Sequence, residues 1–497
     1  MKHINKLILF LLFVLAKSAA AQDIPGFDNS NYAGISGVFL QPACIADMRY
    51  QLDVTLVGVG FSFNNNAIGA NTTSLLNGTL FSTNGDFRKN YNEVTTSNNK
   101  SVGLNESVQL PSAAYSINKD ISVGFSIRQR GMLNVDQMTP AIAHLAYTGL
   151  DNNDPQNKGY YNGPPLKGDG FNINELLWME YALHYAQVIK DDGPIFFKVG
   201  GSLKLENGAE SAYLYADNLT YHWKNSDTLS LFASHISYGQ SESARELFNT
   251  KSLPAYLASV ASSSVAVDLG AVFEWRPDYQ KYTFKGVDNK IKPRRDQNKY
   301  KLRVGVSILD IGSIPFTKGT KIYDYVADTT NWNVHNIKFG NNPVKSMDSL
   351  VNKVFPKATN GNKNTFIYSL PTTLSFQIDY NILSNLYINF TSYSALSSPN
   401  YPSQVSNVSY YSITPRWDSK WFGAFLPLAI NQYGQATVGA AFRVGPLIIG
   451  SSQVISFLLS QYTYGMDFYM SIKVPIFQHK PKDSDICPTP GSPSPQK

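Results

Sequence analysis

Apolar and polar side chains alternate along the last long stretch of the chain, and this alternation restricts the possible folds more than any other feature. From Met466 to Phe477 the even-numbered positions are all apolar, whereas the odd-numbered ones include Asp467, Ser471 and Lys473. A period of two sorts side chains onto the two faces of a β-strand, while a helix would scatter them around its axis. The stretch matches or slightly exceeds the roughly 9–11 residues with which a tilted strand crosses a bilayer.

The same alternation recurs along the rest of the chain. It covers Leu52–Phe63, Gln109–Ile117, Ile121–Arg128, Trp178–Val188, Phe196–Glu206, Val265–Trp275, Tyr300–Ile308, Phe366–Tyr380, Leu386–Thr391, Val405–Pro415, Trp421–Gln432 and Ala436–Val444. These segments predict an all-β fold, an antiparallel transmembrane β-barrel. Because such barrels have an even number of strands, we expect about 14. A soluble β-sandwich or propeller also alternates, but it packs its apolar face into a core and its connections are mostly short.

Long polar gaps between these segments are typical of the outer loops of a barrel. They are Asn64–Asn105, Leu133–Gly170, Asn207–Ser262, Pro277–Asn298 and Thr317–Asn364. Two features within them lead to more specific expectations. The basic stretch Lys285–Arg295 suits anionic lipid headgroups, although a solvated loop explains it equally well. Ser252–Ser264 reads as a short helix that begins at Ser252, with Pro254 in its first turn.

The chain ends predict export. Residues 1–21 combine Lys2 and Lys6, a ten-residue apolar run and a small-residue cleavage site, which is the pattern of a signal peptide. No later apolar run is long enough for a transmembrane helix. The tail, residues 479–497, is rich in proline and is expected to be extended or disordered in the periplasm. Cys44 and Cys487 lie near opposite ends, and we expect them to be unlinked, although one disulfide remains open.

Composition and motifs exclude several classes of function. The formal net charge is only +6 over 497 residues, without a basic arm, so nucleic acid is not an expected partner. The seven histidines show no metal-ligand spacing, and there is neither a nucleophile elbow nor a cysteine with a histidine nearby. We therefore expect no enzyme activity, no cofactor and no metal.

Two short segments carry a resemblance to a known family. Gln41-Pro42-Ala43, followed by Ile45-Ala46-Asp47, resembles an Asn-Pro-Ala-type segment, and Val267–Pro277 resembles a second recurring piece. Both are found in Bacteroidota outer-membrane barrels of unknown function, which are akin to the long-chain fatty-acid transporter (FadL-like) barrels. In those transporters the N-terminal segment enters the lumen as a hatch. The resemblance thus implies a hatch-like segment at residues 22–50 and a barrel at residues 51–478; a periplasmic extension is the alternative for the former.

Alternate positions along each strand face opposite sides of the wall, and this predicts which charged side chains face the lumen. These are Arg128, Asp268, Glu274, Arg303 and Lys473. Lumenal charges tune selectivity in some barrels, but they also pair with one another and seal the interior, an alternative that we favour slightly. By analogy with the family, we expect an outer-membrane protein, in contact with lipid, that passes a small hydrophobic solute through a plugged lumen. The alternative is a scaffold barrel with no solute, acting with a partner protein of an envelope, secretion or gliding assembly.

Overall fold

The computed structural model describes residues 27–80, 90–148, 163–225, 227–241, 262–287, 289–333, 365–397 and 402–479. These residues form 25 strands: β1 (Tyr50–Asn65), β2 (Ile68–Asn71), β3 (Tyr91–Glu93), β4 (Lys100–Ser116), β5 (Ile121–Met138), β6 (Leu166–Asp192), β7 (Ile195–Asn225), β8 (Thr228–Gln240), β9 (Ser262–Trp275), β10 (Thr283–Lys285), β11 (Ile291–Pro293), β12 (Leu302–Ile311), β13 (Ser313–Phe316), β14 (Lys321–Asn333), β15 (Phe366–Ser369), β16 (Thr373–Leu383), β17 (Leu386–Ala395), β18 (Tyr410–Asp418), β19 (Phe422–Phe425), β20 (Leu428–Asn431), β21 (Ala436–Val438), β22 (Ala440–Val444), β23 (Leu447–Ser451), β24 (Tyr462–Thr463) and β25 (Gly465–Phe477).

Helical elements are few and short. The described residues contain α-helices at Thr72–Leu76, Pro140–Thr148 and Val454–Leu459, and 3₁₀-helices at Gly34–Phe39, Pro42–Ile45 and Tyr279–Tyr282. Among the described residues, no helix has the length and apolar character that a membrane crossing requires.

The main sheet closes on itself as an antiparallel barrel. Strand β1 pairs with β4 on one side and with the last strand, β25, on the other. The ring runs β1, β4, β5, β6, β7, β9, β12, β16, β17, β18, then β19 with β20, β22 with β21, β23 and β25. Since β19 and β20 share one position, as do β21 and β22, the ring has 14 positions, and the predicted strand number is confirmed. Closure leaves the ring without a free edge.

The barrel wall is apolar outside and polar inside. Along β25, Phe468, Val474 and Ile476 are 44–47% exposed, whereas Ser471 and Lys473 between them are buried. The same division holds on β9, where Leu269 is half exposed and Asp268 is buried inside. A soluble sandwich would show the opposite polarity, so the transmembrane type of barrel is confirmed.

The two ends of the barrel differ in their connections. At the end where Tyr50 pairs with Phe477, hereafter the terminal end, residues 193–194 and 384–385 suffice to join neighbouring strands. The connection between β9 and β12 is a long exception at that same end, and it contains the small hairpin β10–β11. The basic stretch Lys285–Arg295 therefore lies at the terminal end, beside the start of β1, where Arg49 donates to the Arg295 carbonyl at 2.7 Å.

A four-stranded sheet continues past the opposite end, hereafter the distal end. Residues 195–208 of β7 pair with β9 in the barrel wall. Residues 212–225 of β7 instead pair with β8, which in turn pairs with β14, and β6 on the other side of β7 is the fourth strand. The expected loops Asn207–Ser262 and Thr317–Asn364 were thus wrong over these strands. The helix Pro140–Thr148 covers this extension, with Leu145 packed against Leu219 and its neighbours. Residues beyond the end of the barrel can still form strands when a neighbouring strand, here β7, is long enough to pair with them.

Other predicted boundaries differ in smaller ways. The strand predicted as Gln109–Ile117 begins at Lys100, and Leu447–Ser451 is a strand that the alternation did not predict. Ser262–Ser264 opens β9 as a strand, so the expected helix is wrong over these three residues. Its other residues, the signal peptide and the proline-rich tail, including Cys487, lie outside the described residues.

Candidate functional site: the plugged lumen

The N-terminal stretch 27–49, hereafter the plug segment, lies inside the barrel at the terminal end. Its two 3₁₀-helices stack together against the wall. Phe27, Ile35 and Val38 are fully buried, and Phe27 packs edge-on against Phe425 of the wall at 5.9 Å between ring centroids. Every residue of the motif predicted to be hatch-like, Gln41, Pro42, Ala43, Ile45, Ala46 and Asp47, is buried there.

Gln41 fastens the centre of the plug segment to the wall. Its Nε2 donates to the carbonyl oxygens of Ala271 and Val306 at 3.2 and 3.1 Å. The wall makes room for this turn with glycines on neighbouring strands. A Cβ at Gly200 would lie 2.6 Å from the Pro42 oxygen, and one at Gly270 would lie 2.0 Å from Oε1 of Gln41. Since real Cβ atoms do not approach so closely, these positions require glycine while the segment is docked.

Asp47 lies near the end of the plug segment and is surrounded by basic side chains. Its carboxylate lies 3.0 Å from Arg49, 3.0 Å from Arg276 and 3.2 Å from Lys299. Burial alone would raise the pKa of Asp47, but Arg49, Lys299 and Arg276 outweigh it and hold that pKa well below its ordinary value. Arg276 is fixed in turn by Glu274, with Nε 2.9 Å from the carboxylate. Buried carboxylates gain from several paired donors only when these are held in place, as they are here.

A second attachment lies on the opposite wall. Lys473 of β25 donates to the Ala33 carbonyl at 2.7 Å and forms an ion pair with Asp53 of β1 at 2.9 Å. Asp53 also accepts the Ile35 amide at 2.8 Å. The pair therefore binds one carbonyl and one amide of the plug segment, and both side chains are fully buried.

A third attachment uses Asp418 of β18. Its carboxylate accepts Ser30 Oγ at 2.9 Å and the Asn31 amide at 3.0 Å, and Arg443 holds it at 3.2 Å. On the neighbouring strands, Asp379 is bound by Arg416 at 2.6 Å and by Arg303 at 3.1 Å. The plug segment is thus attached at three places around the lumen, to β9 and β12, to β1 and β25, and to β18.

A midlumen cluster of charges lies beyond the plug segment. It consists of Arg128, Arg130, Glu180, Lys204, Asp268 and Asp310. Lys204 reaches Asp268 at 2.8 Å and Asp310 at 2.6 Å, and Arg128 reaches Glu180 at 3.1 Å. Arg128 also lies over the ring of Phe39, 4.0 Å from its centroid, which links this cluster to the plug segment.

An apolar layer fills the distal half of the lumen. Strands β13 and β15 pair as a small antiparallel sheet inside the wall, hereafter the inward strand pair, and place Phe316, Phe366 and Tyr368 there. They meet Leu176 and Trp178, which point inward from β6. Gly208 of β7 leaves the space, since a Cβ there would lie 2.7 Å from the Phe316 ring. Apolar side chains facing the lumen are unusual in a barrel with a polar interior.

The remaining free space near the plug segment is small and polar. A cavity of about 50 Å³ lies between the plug segment and the wall, lined by Lys198, Glu274, Arg276 and Tyr300 among others. It has room for about three to five waters but not for a solute of ordinary ligand size, given roughly 10–15 Å³ of such volume for each water. Cys44 lines it as well, and burial raises the pKa of its thiol to about 12, which leaves it un-ionised near neutral pH. Cys44 is a free thiol.

Each of the five charged residues for which the sequence predicts a lumenal position has a charged partner in the structure. The pairs are Arg128 with Glu180, Asp268 with Lys204, Glu274 with Arg276, Arg303 with Asp379 and Lys473 with Asp53. Sequence reasoning missed Arg276, Asp53 and Gly270 as contacts of the plug segment. Gly270 and Arg276 nevertheless lie in the segment Val267–Pro277 that carries the family resemblance, and that segment touches the other one through Gln41 and Asp47.

A closed 14-stranded barrel with a plugged, salt-linked lumen is thus the class that fold and site define. The chain belongs to a family of unknown function (DUF5723), which matches residues 42–452. No curated protein matches it.

Among solved structures the chain is similar to a Pseudomonas aeruginosa FadL homologue, with 10% identity and a TM-score of 0.41 over 92% of this chain and 98% of that one. It is also similar to the Ralstonia pickettii toluene transporter TbuX, with 11% identity and a TM-score of 0.40 over 93% and 96% of the two chains.

Proposed function

We propose that the chain is an outer-membrane channel that passes a small hydrophobic solute by diffusion and is closed at rest by its plug segment. The observation that carries this proposal is the apolar layer in the distal lumen. Leu176 and Trp178 of the wall form an apolar lining there, and Phe316 and Phe366 of the inward strand pair fill it. A channel for ions or sugars does not need an apolar lining. An apolar solute, in contrast, would replace the side chains of the inward strand pair at little cost in buried apolar area.

The ends of the barrel support an orientation. Short turns of outer-membrane barrels face the periplasm and longer loops face outward. The terminal end, with the turn at residues 193–194, therefore faces the periplasm, and the extension sheet faces outward. A solute entering from the distal end would meet the apolar layer first, then the midlumen cluster, and last the plug segment. Passage requires that the plug segment shift, because its attachments close the terminal end.

Fluorescence of Trp178 tests the binding step. Toluene, as an uncharged apolar probe, is titrated into the detergent-solubilised full chain, with Trp178→Phe as the control for the origin of the signal. We expect saturable quenching of the fluorescence in the wild type. The affinity for toluene should change in Phe316→Ala, because this substitution opens space within the apolar layer. The absence of saturable quenching in both proteins would contradict the proposal.

Deletion of residues 31–47 tests the plugging step. In cells that carry the protein in the outer membrane, the deletion is expected to increase entry of a small neutral tracer, because the attachments at Asp53 and at the Ala271 and Val306 carbonyls lose their partners. Deletion of residues 480–497 serves as the matched control. An unchanged rate of entry would count against a plug.

The salt-linked lumen favours one alternative, a scaffold barrel without a solute. Its charges pair with one another at both the plug segment and the midlumen cluster, which seals the interior as a structural barrel requires. A scaffold predicts no saturable toluene binding and no effect of Phe316→Ala beyond stability, so the fluorescence titration separates the two.

A further inference from the structure

Three buried carboxylates converge in the midlumen from different strands. Glu180 of β6 and Glu206 of β7 are direct partners across the sheet, and Asp310 comes from the end of β12. Carboxylate oxygens of all three lie within 4.8 Å of one another. Glu180 and Glu206 are 0% exposed and Asp310 is 3% exposed.

The described cations of the midlumen do not balance the carboxylates. Four acids, Glu180, Glu206, Asp268 and Asp310, face three bases, Arg128, Arg130 and Lys204. Lys204 and Arg130 are engaged by Asp310 at 2.6 and 2.8 Å, and Lys204 by Asp268 at 2.8 Å. Glu206 is the acid that none of the three bases contacts as an ion pair.

Glu206 is left without any hydrogen-bond partner among the described residues. Both of its carboxylate oxygens are buried and unpartnered, and so is Oε1 of Glu180 beside it. Ser264, which pairs with Glu206 across β7 and β9, also has a buried Oγ with no partner in the described part of the chain. An ionised carboxylate buried in this way is too costly to persist alone, so Glu206 requires either a bound proton or a positive ligand.

We propose that a hard divalent cation, of which Ca²⁺ is the type, binds between Glu180, Glu206 and Asp310. Only oxygen donors are present, which is the ligand set that Ca²⁺ prefers at about 2.3–2.6 Å. Two oxygens bound to one ion at about 2.4 Å are at most about 4.8 Å apart, and the three carboxylates satisfy this limit. The ion would tie β6, β7 and β12 together across the lumen, whether or not a solute passes.

Elemental analysis and thermal unfolding of the full chain test the site, with Ca²⁺ alone as the added probe. Protein extracted from membranes is expected to carry about one divalent ion per chain. Its unfolding temperature is expected to be higher in excess Ca²⁺ than in chelator, since an ion that binds only the folded state stabilises it. Glu206→Gln keeps the shape but removes the charge, and should lower Ca²⁺ affinity by about tenfold or more, because ligand charge sets the affinity of such sites.

Asp467→Asn is the matched control. Asp467 is a lumenal carboxylate of β25 bound by Ser451 and Ser452, and its loss should leave the bound metal and the Ca²⁺ shift intact. Metal-free protein whose unfolding temperature ignores Ca²⁺ would overturn the proposal. A Glu206→Gln variant that is then more stable than wild type would identify a bound proton instead. If Glu206→Gln fails to fold, the wild-type Ca²⁺ shift and metal content decide alone.

Discussion

Lys473→Met is the most direct test of how the plug segment is held. The Lys473 ammonium lies 2.9 Å from Asp53 and 2.7 Å from the Ala33 carbonyl, in a region where both side chains are about 0–1% exposed. Without the ammonium, Asp53 stays buried and unpaired under the plug segment. Breaking a buried pair in this way costs about 3–5 kcal/mol. Opening the plug segment would hydrate Asp53 and relieve the cost, so the opening equilibrium should rise by about 10²–10⁴, at 1.36 kcal/mol per tenfold.

Cys44 reports this opening. Its side chain is partly buried in the plug segment, and burial raises the pKa of its thiol to about 12, so it reacts slowly while the segment is docked. In a Cys487→Ser background, the rate of modification by a maleimide therefore follows the opened fraction. Gel mobility without heating verifies that the barrel itself remains folded.

Two further variants sharpen the test. Asp53→Asn combined with Lys473→Met removes both charges, and the side-chain amide oxygen that replaces the carboxylate can still accept the Ile35 amide, so most of the wild-type protection should return. Lys119→Met removes one partner of an exposed pair with Asp120 and should change nothing. Modification of Lys473→Met at the wild-type rate, or of the double variant as fast as the single one, would refute the reasoning.

Three other outcomes are expected. Gly200→Leu forces a side chain into the docked turn, at a cost of about 1–3 kcal/mol for overpacking, and should speed Cys44 modification by about 5–150-fold. Phe316→Ala should cost about 3–5 kcal/mol by opening a cavity in the apolar layer and lower the temperature of heat modification on gels. His235 lies in the distal extension; burial lowers its pKa, but hydrogen bonds to Asp324 and Asp217 outweigh this and raise it. Its stabilisation is therefore complete below the unfolded pKa near 6.5 and lost as pH rises through the folded pKa. Amide protection factors in residues 228–240, from which the intrinsic base-catalysed exchange rate is divided out, should therefore fall towards alkaline pH, and less so in His235→Gln. Protection factors that do not change with pH would contradict the assignment.

The barrel could be predicted from the sequence because two solvents impose its pattern. Each crossing strand has lipid on one face and the lumen on the other, so Phe468 and Lys473 fall on opposite faces by parity alone. The distal extension is not subject to that rule. Residues 212–240 carry tyrosine, serine and asparagine on both faces, and their pairing depends on the length of β7. Sequence alternation had nothing to detect there.

The candidate site was only half predictable. Parity places Asp268 and Lys473 inside the lumen, but partners are set by strand register between segments far apart in the chain. Asp53 meets Lys473 because the first and last strands close the ring. Gly270 gave no signal by itself, since its requirement for space arises from Gln41 some 230 residues earlier.

The contact between Gln41 and the β9–β12 wall has a consequence for biogenesis. The residues that leave the ribosome early find their resting place only after strands made much later have paired, and Lys473 is supplied by the very last of them. We expect the leading segment to remain undocked until the ring is complete, because closing so long a loop is costly before its contacts exist. Sealing of the pore and completion of the cylinder would then be a single event, and the membrane would not be exposed to a finished but open tube.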